Sequence, residues 1–121
     1  ELAEPTNQLG GARRRLECRE PVPVLDPVVA GHLYRIAQEA TNNAVKHARA
    51  SRVTIRLAQK DGRLRLEVAD DGAGLPNEAG ASRGLGLGLM LHRAHVIGAA
   101  LTISSKRGEG VTVRGELPLP P

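Results

Sequence analysis

Two runs of alternating residues constrain this chain more than any other feature. Val53-Thr-Ile-Arg-Leu and Leu64-Arg-Leu-Glu-Val each repeat with period two, and Asp61-Gly62 lies between them. Successive side chains of a strand point to opposite faces, so each run is a half-buried strand. Asp-Gly is a strong hairpin signal because its two residues accept the positive φ angles that a tight hairpin turn needs. The segment therefore predicts an antiparallel hairpin with one apolar face, and that face has to be covered by another layer.

Helices on either side supply the cover. Asp26-Pro27 is a helix start, with Asp as N-cap and Pro at the first helical position. The helix is expected to run to about Arg49, with Leu33, Ile36, Ala37, Ala40, Ala44 and Ala48 as an apolar stripe at helical period. Its alanines suit close approach to another element. A second helix is expected from about Leu85 to Ile97, stopped by Gly98. Arg13 to Cys18 reads as a short strand, and Pro21, Pro23 and Pro27 then force an extended connector. Leu101–Ser104 and Val111–Leu117 read as a closing hairpin around Arg107-Gly-Glu-Gly. Residues 1–12 are polar, end in Gly10-Gly11, and read as a helix remnant or a frayed terminus. No internal repeat or domain boundary interrupts the 121 residues, which are expected to form one domain. The order β-α-β-β-loop-α-β-β predicts an α+β fold, with helices on one face of a mainly antiparallel sheet.

Composition narrows the partners. Hydrophobic residues make up 40%, yet there is no Phe, no Trp and one Tyr, so the core must be built from Leu, Val, Ile and Ala. The net charge of +4 favours a polyanionic partner. Nucleic acid is disfavoured, because stacking aromatics are nearly absent and no helix-turn-helix or zinc-finger pattern is present. A nucleoside triphosphate is the other obvious anion. Cys18 is alone, which excludes a disulfide framework and a cysteine metal site, and reads as a half-buried thiol on a strand. No apolar run approaches the ~20 residues of a membrane span, and no signal peptide is visible. The chain starts at Glu1 rather than Met, so a fragment or a processed chain is expected.

Three constellations carry chemistry. Glu39, Asn43 and Lys46 fall in a narrow stripe at about 100° per residue, with His47 beside it, about a quarter-turn from the apolar stripe. A carboxylate, an amide oxygen and a cation at the edge of the core suit magnesium and phosphate together; a solvated polar face with an i,i+4 hydrogen bond explains the same residues. Leu64, Leu66 and Val68 share one strand face, and Asp70 follows on that face. A carboxylate pointed inward needs donors, which an adenine amine and an ordered water would provide; a turn cap is the plainer alternative. Gly72 and Gly74 allow close backbone approach to a flat ligand, while Asp71 points the other way. Gly84-Leu-Gly-Leu-Gly opens the second helix, where backbone N–H groups favour phosphate. It is neither a P-loop nor a dinucleotide fingerprint. A flexible linker is the alternative, and the leucine alternation speaks against it.

The order and spacing of these elements are more specific than any one of them. Gln38-Glu-Ala-Thr-Asn-Asn-Ala-Val-Lys-His-Ala48 resembles the N box of the GHKL ATPase superfamily. Asp70-Asp-Gly-Ala-Gly74 resembles its G1 box, and Gly84-Leu-Gly-Leu-Gly-Leu89 its G2 box. The resemblance covers about residues 28–118. The lysine-histidine ending of the N box is similar to sensor histidine kinases of the nitrate/nitrite-sensor class. It implies a two-layer Bergerat-type α+β sandwich with a mixed, mainly antiparallel sheet, and a short ATP lid over residues 75–83. It implies ATP and Mg²⁺ as ligands, with Asn43 on the metal and Asp70 accepting from the adenine amine. Gly72, Gly74, Gly84, Leu85, Gly86, Leu87, Gly88 and Leu89 would shape the pocket and hold phosphates. Lys46 and His47 would lie by the phosphate tail or lid, and Glu39 matches the family glutamate assigned as a general base.

Two departures stand out. Gly88 replaces a frequent Arg or His, and Val111 replaces a Thr that helps hold the adenine-side water. Thr112 follows and is carried as a nucleotide-side candidate, although the alternation turns it outward. The resemblance further implies transfer of the γ-phosphate to a histidine on a separate dimerisation domain, with a response regulator downstream. None of His32, His47, His92 and His95 has the surroundings of that acceptor. The domain alone is expected to be cytoplasmic, monomeric and without membrane contact, whether or not its parent is membrane-anchored. An anti-sigma serine kinase of the same fold, or a non-catalytic docking module, are the rival readings.

Overall fold

The computed structural model describes residues 25–75 and 85–120, together with the backbone of strands at 2–3, 7–9 and 12–18. The element order is β1 (Leu2–Ala3), β2 (Asn7–Leu9), β3 (Ala12–Cys18), α1 (Pro27–Lys46), β4 (Arg52–Lys60), β5 (Arg63–Asp70), α2 (Leu87–Val96), β6 (Ala100–Lys106) and β7 (Gly110–Pro118). The sheet order is β1-β3-β4-β5-β7-β6, with β2 also on β3. Among the described strands only β3 and β4 run parallel; the other pairs are antiparallel. The expected α+β sandwich is therefore present. The expectation of a helix remnant or frayed end over residues 1–12 is corrected: the described residues there are strands. A strand beyond β4 leaves an open edge of backbone N–H and C=O groups, and β1 and β2 pair with it.

The predicted hairpin turns at Asp61 and Gly62, both at positive φ, and places Leu66 opposite Leu57 and Val68 opposite Ile55. β7 extends the same apolar rows, with Val113 opposite Val68 and Leu117 opposite Leu64. Asp26 accepts from the Val28 N–H at 2.8 Å and so caps α1 as expected. The helix ends three residues before Arg49. The Asn43 carbonyl accepts from both His47 and Ala48, and Arg49 itself is left-handed at φ 52. The second helix starts at Leu87 rather than Leu85, because Gly86 is left-handed at φ 68 and serves as its N-cap.

Leu33, Ile36, Ala40 and Ala44 of α1 lie on Val53, Leu64, Leu66, Val68, Val113 and Leu117 of the sheet, with Met90 and Ala94 of α2 beside them. The core is aliphatic, as composition required, with Met90 added. A flexible thioether fills the irregular space between two helices and a sheet without an aromatic ring. The single aromatic, Tyr34, is 65% exposed.

The opposite sheet face is held by ion pairs. Arg56, Glu67 and Arg114 stand in register on three strands. Glu67 accepts from Arg114 at 2.7 Å and from Arg56 at 3.2 Å. Burial pushes the Glu67 carboxyl up, but the bonds and charges of Arg114 and Arg56 outweigh it and hold the group below its ordinary value.

Ile36 is 1% exposed at the centre of the helix–sheet contact. Ile36→Ala is expected to cost about 2–5 kcal/mol, read as a lower urea midpoint at an unchanged slope.

Candidate functional site

A cleft opens where the C-terminal half of α1, the end of β5, the start of β7 and the start of α2 meet. It holds about 440 Å³, counting the space open to solvent, and is lined by Ala40, Asn43, Ala44, His47 and Ala48 of the α1 side, by Val68, Asp70, Gly74 and Leu75, by Leu85, Leu87 and Met90, and by Val111 and Val113. The walls are mostly apolar with a few convergent polar groups, the character of a small-molecule site.

Asp70 is the polar group at the sheet wall. It continues the inward row of Leu64, Leu66 and Val68, as the alternation predicted. Its Oδ1 accepts from the Gly72 N–H at 2.8 Å and the Val111 N–H at 3.3 Å. Both donors use the same oxygen, so Oδ2 has no hydrogen bond among the described residues and remains an acceptor. Burial raises the Asp70 carboxyl above its ordinary value of 3.8; the Gly72 and Val111 bonds oppose the rise, and the neighbouring Asp71 charge adds to it.

Two close approaches build this corner. A Cβ on Gly72 would lie 2.6 Å from the Ala48 carbonyl oxygen, which accepts from the Ala73 N–H at 3.0 Å. A Cβ on Gly110, whose φ is +93, would run into the Asp70 carbonyl. A side chain at either position would therefore push Asp70 out of place. Gly110 escapes sequence reasoning, because its close partner is Asp70 on another strand; its place as the first residue of β7 after the Arg107–Glu109 turn is the local signal.

Asn43 is the polar group at the helix wall. Its Nδ2 donates to the Leu85 carbonyl at 2.5 Å. With the amide nitrogen so engaged, Oδ1 is the atom left for a cation. Among the described residues no cluster of three or more His, Cys, Asp or Glu side chains could hold a metal. The donor set therefore fits a cation that arrives with its own oxygen ligands, as Mg²⁺ does on phosphates.

The other candidates divide. Leu85, Leu87, Gly74 and His47 line the cleft with Asn43 and Asp70. Glu39 is half-buried outside the lining, with its carboxylate packed over Gly86, where a Cβ would lie 2.5 Å from Oε1. Lys46 is exposed one turn away. Gly88 and Leu89 are exposed on α2, and Gly88 has open space around it. Thr112 sits on the far sheet face, in register with Ala69 and Ser104, so it is not brought to the cleft; the buried Val111 takes the inward position. Gly84 and residues 76–83 of the expected lid lie outside the described residues. At the start of that segment the Leu75 N–H donates to Ser105 Oγ at 2.8 Å, a contact the sequence did not signal.

Comparison with known proteins places the chain in a family. Residues 29–121 match the family described as histidine kinase-, DNA gyrase B-, and HSP90-like ATPase. The chain is 38% identical over 93 residues to the sensor histidine kinase LiaS of Bacillus subtilis (strain 168), covering 77% of this chain and 26% of that protein. It is 32% identical over 114 residues to the nitrate/nitrite sensor protein NarQ of Escherichia coli (strain K12), covering 93% of this chain and 20% of that protein. The blue-light activated histidine kinase of Erythrobacter litoralis EL346 superposes with a TM-score of 0.73 at 27% identity, over 88% of this chain and 35% of that one. The chain thus spans about a quarter or less of these two curated relatives.

The Asp70 environment has a consequence for stability. A carboxyl whose folded pKa is raised gives stability fully present below 3.8 and lost as pH rises through the folded value. Asp70→Asn keeps an oxygen for the Gly72 and Val111 donors and removes the charge. The variant without ligand is therefore expected to be at least as stable as the parent at neutral pH, with the difference shrinking on acidification towards 3.8. Urea unfolding across a pH series reads this directly.

Proposed function

The chain belongs to the histidine kinase-, DNA gyrase B-, and HSP90-like ATPase family, and from that premise we propose that it is the ATP-binding domain of a sensor histidine kinase. In this reading it holds Mg-ATP and presents the γ-phosphate to a histidine on a separate dimerisation domain of the parent. The observation that carries the proposal is the placement of Asp70 and Asn43 on facing walls of one apolar cleft.

Asp70 Oδ2 accepts from the adenine amine, while Val68, Met90, Val111 and Val113 cover the purine. Asn43 Oδ1 would hold the magnesium, which would neutralise phosphate charge when bound. The phosphates lie towards the start of α2, where the backbone N–H groups and the positive end of the helix favour anions. His47 lines the same wall, and Lys46, exposed beside it, would lie by the phosphate tail or lid. Glu39 packs over Gly86 at the entry to α2 and acts as a site residue there. Transfer needs in-line placement more than covalent chemistry from the protein, so the domain's part is to bind, orient and neutralise.

In the same reading the chain is one domain, with residues 75–83 as the short ATP lid. Among the described residues no helix is long and apolar enough to cross a membrane. We place the domain in the cytoplasm as a monomer, with the response regulator acting on the phosphorylated parent. The sensor-kinase names of the relatives favour this reading over a serine kinase of the same fold.

Calorimetric titration of Mg-ATP is expected to give saturable one-to-one binding. Asp70→Asn is expected to weaken it by at least about tenfold, because the retained backbone bonds force the amide N–H₂ to face the adenine donor. Absence of binding by the unmodified domain would overturn the nucleotide reading. With a supplied acceptor domain, acid-labile phosphate is expected on the acceptor and none on the domain alone. Acid-stable phosphoserine would point to the serine-kinase alternative.

A further inference from the structure

We propose that Asp71 is a positioning residue of the nucleotide site, whose carboxylate latches the end of β5 to the start of β4 and so holds Asp70 against the C-terminal end of α1. The inference rests on the nucleotide reading of the cleft. The family resemblance gives this residue no role, and the alternation of β5 turns it away from the ligand.

The geometry is specific. In the β4–β5 ladder Val53 stands opposite Asp70. One step further the Asp71 N–H donates to the Arg52 carbonyl at 3.3 Å. The return rung is made by the side chain: Asp71 Oδ1 accepts from the Arg52 N–H at 2.9 Å and from the Ser51 N–H at 2.8 Å. A side-chain oxygen thus takes the place of a backbone carbonyl at the end of the ladder. The main chain is then free to leave the sheet at Gly72 while its last strand residue stays anchored.

The departure matters because of where it leads. Immediately after the latch, the Ala73 N–H bonds the Ala48 carbonyl at 3.0 Å. One turn back, the Asn43 carbonyl receives His47 and Ala48, and the Ala44 carbonyl receives Ala50. Asp71 therefore closes a ring of hydrogen bonds running from β5, through Ala73 and the end of α1, to Ser51 and back. Asp70 is tied to that ring through the Gly72 N–H, and Asn43 through the Ala48 N–H. Loss of the latch lets the two walls shift relative to each other, although Asp71 itself touches no ligand.

A residue that merely capped a turn would change stability alone, so the test uses two variants with different predictions. Asp71→Asn keeps an oxygen for both N–H groups and removes the charge; Asp71→Ala removes both. Mg-ATP affinity is measured by calorimetry on the unmodified domain and each variant, at neutral pH and along an acid series, with thermal melts confirming folding. Asp71→Ala is expected to bind about tenfold more weakly, and Asp71→Asn within about twofold of the parent. The acid series separates position from charge. Around Asp70, His47 lines the same cleft, and Asp71 follows it in the chain, bonded to the Arg52 N–H. Of these, Asp71 is the like charge that pushes Asp70 up. Acid loss of ATP binding is therefore expected at lower pH in Asp71→Asn than in the parent.

A folded Asp71→Ala that binds as tightly as the parent overturns the latch. If Asp71→Ala does not fold, Asp71→Asn decides: binding weakened well beyond twofold, or an unmoved acid limb, also overturns it. Failure of the unmodified domain to bind Mg-ATP overturns the nucleotide reading instead.

Discussion

Asp70 ends the apolar row of β5 with a carboxylate on the side of the sheet that the helices cover, and taking such a group from water is costly unless donors replace the water. The donors come from two places. Gly72 lies two residues on, and Val111 is the second residue of a strand some forty residues later. That pairing fixes the β5–β7 register at the cleft, and it requires Gly110 to lie flat against the Asp70 backbone. Much of the site's architecture follows from the need to keep one oxygen of one side chain satisfied while the other stays available.

The helix wall depends on small side chains. Ala40, Ala44 and Ala48 let α1 approach the sheet closely, and Ala48 accepts the backbone that leaves β5. A larger residue at position 48 would fill the space now occupied against Gly72. The aliphatic core fits the same demand. Its one unbranched flexible member, Met90, sits where α1, α2 and the cleft come together. Asn43 then joins the helices through its bond to Leu85, so the entry to α2 is set by the same helix that lines the cleft.

Sequence reasoning reached the hairpin, both helices and the inward turn of Asp70, because periodicity and capping are local and strong. It placed Val111 inward and Thr112 outward by the same alternation, and the register agrees. It extended α1 to Arg49, since nothing in the local pattern announces the left-handed turn there. It read residues 1–12 as helix or frayed end, because the edge of β3 that pairs with them is a tertiary feature. It passed over Asp71 for the same reason: the amides that its carboxylate binds belong to Ser51 and Arg52, about twenty positions earlier.

By itself the amino-acid sequence determined the element types, the aliphatic character of the core and the three glycine- and polar-rich segments that identify the family. These depend on spacing within a few residues, which sets which face of a helix or strand each side chain occupies. Only the tertiary structure decided which of the candidate residues share a cleft, which oxygen of Asp70 is free, and that Lys46 and Thr112 stand away from the walls. Those outcomes are fixed by contacts between elements distant in the chain, and local pattern carries no record of how such elements approach each other.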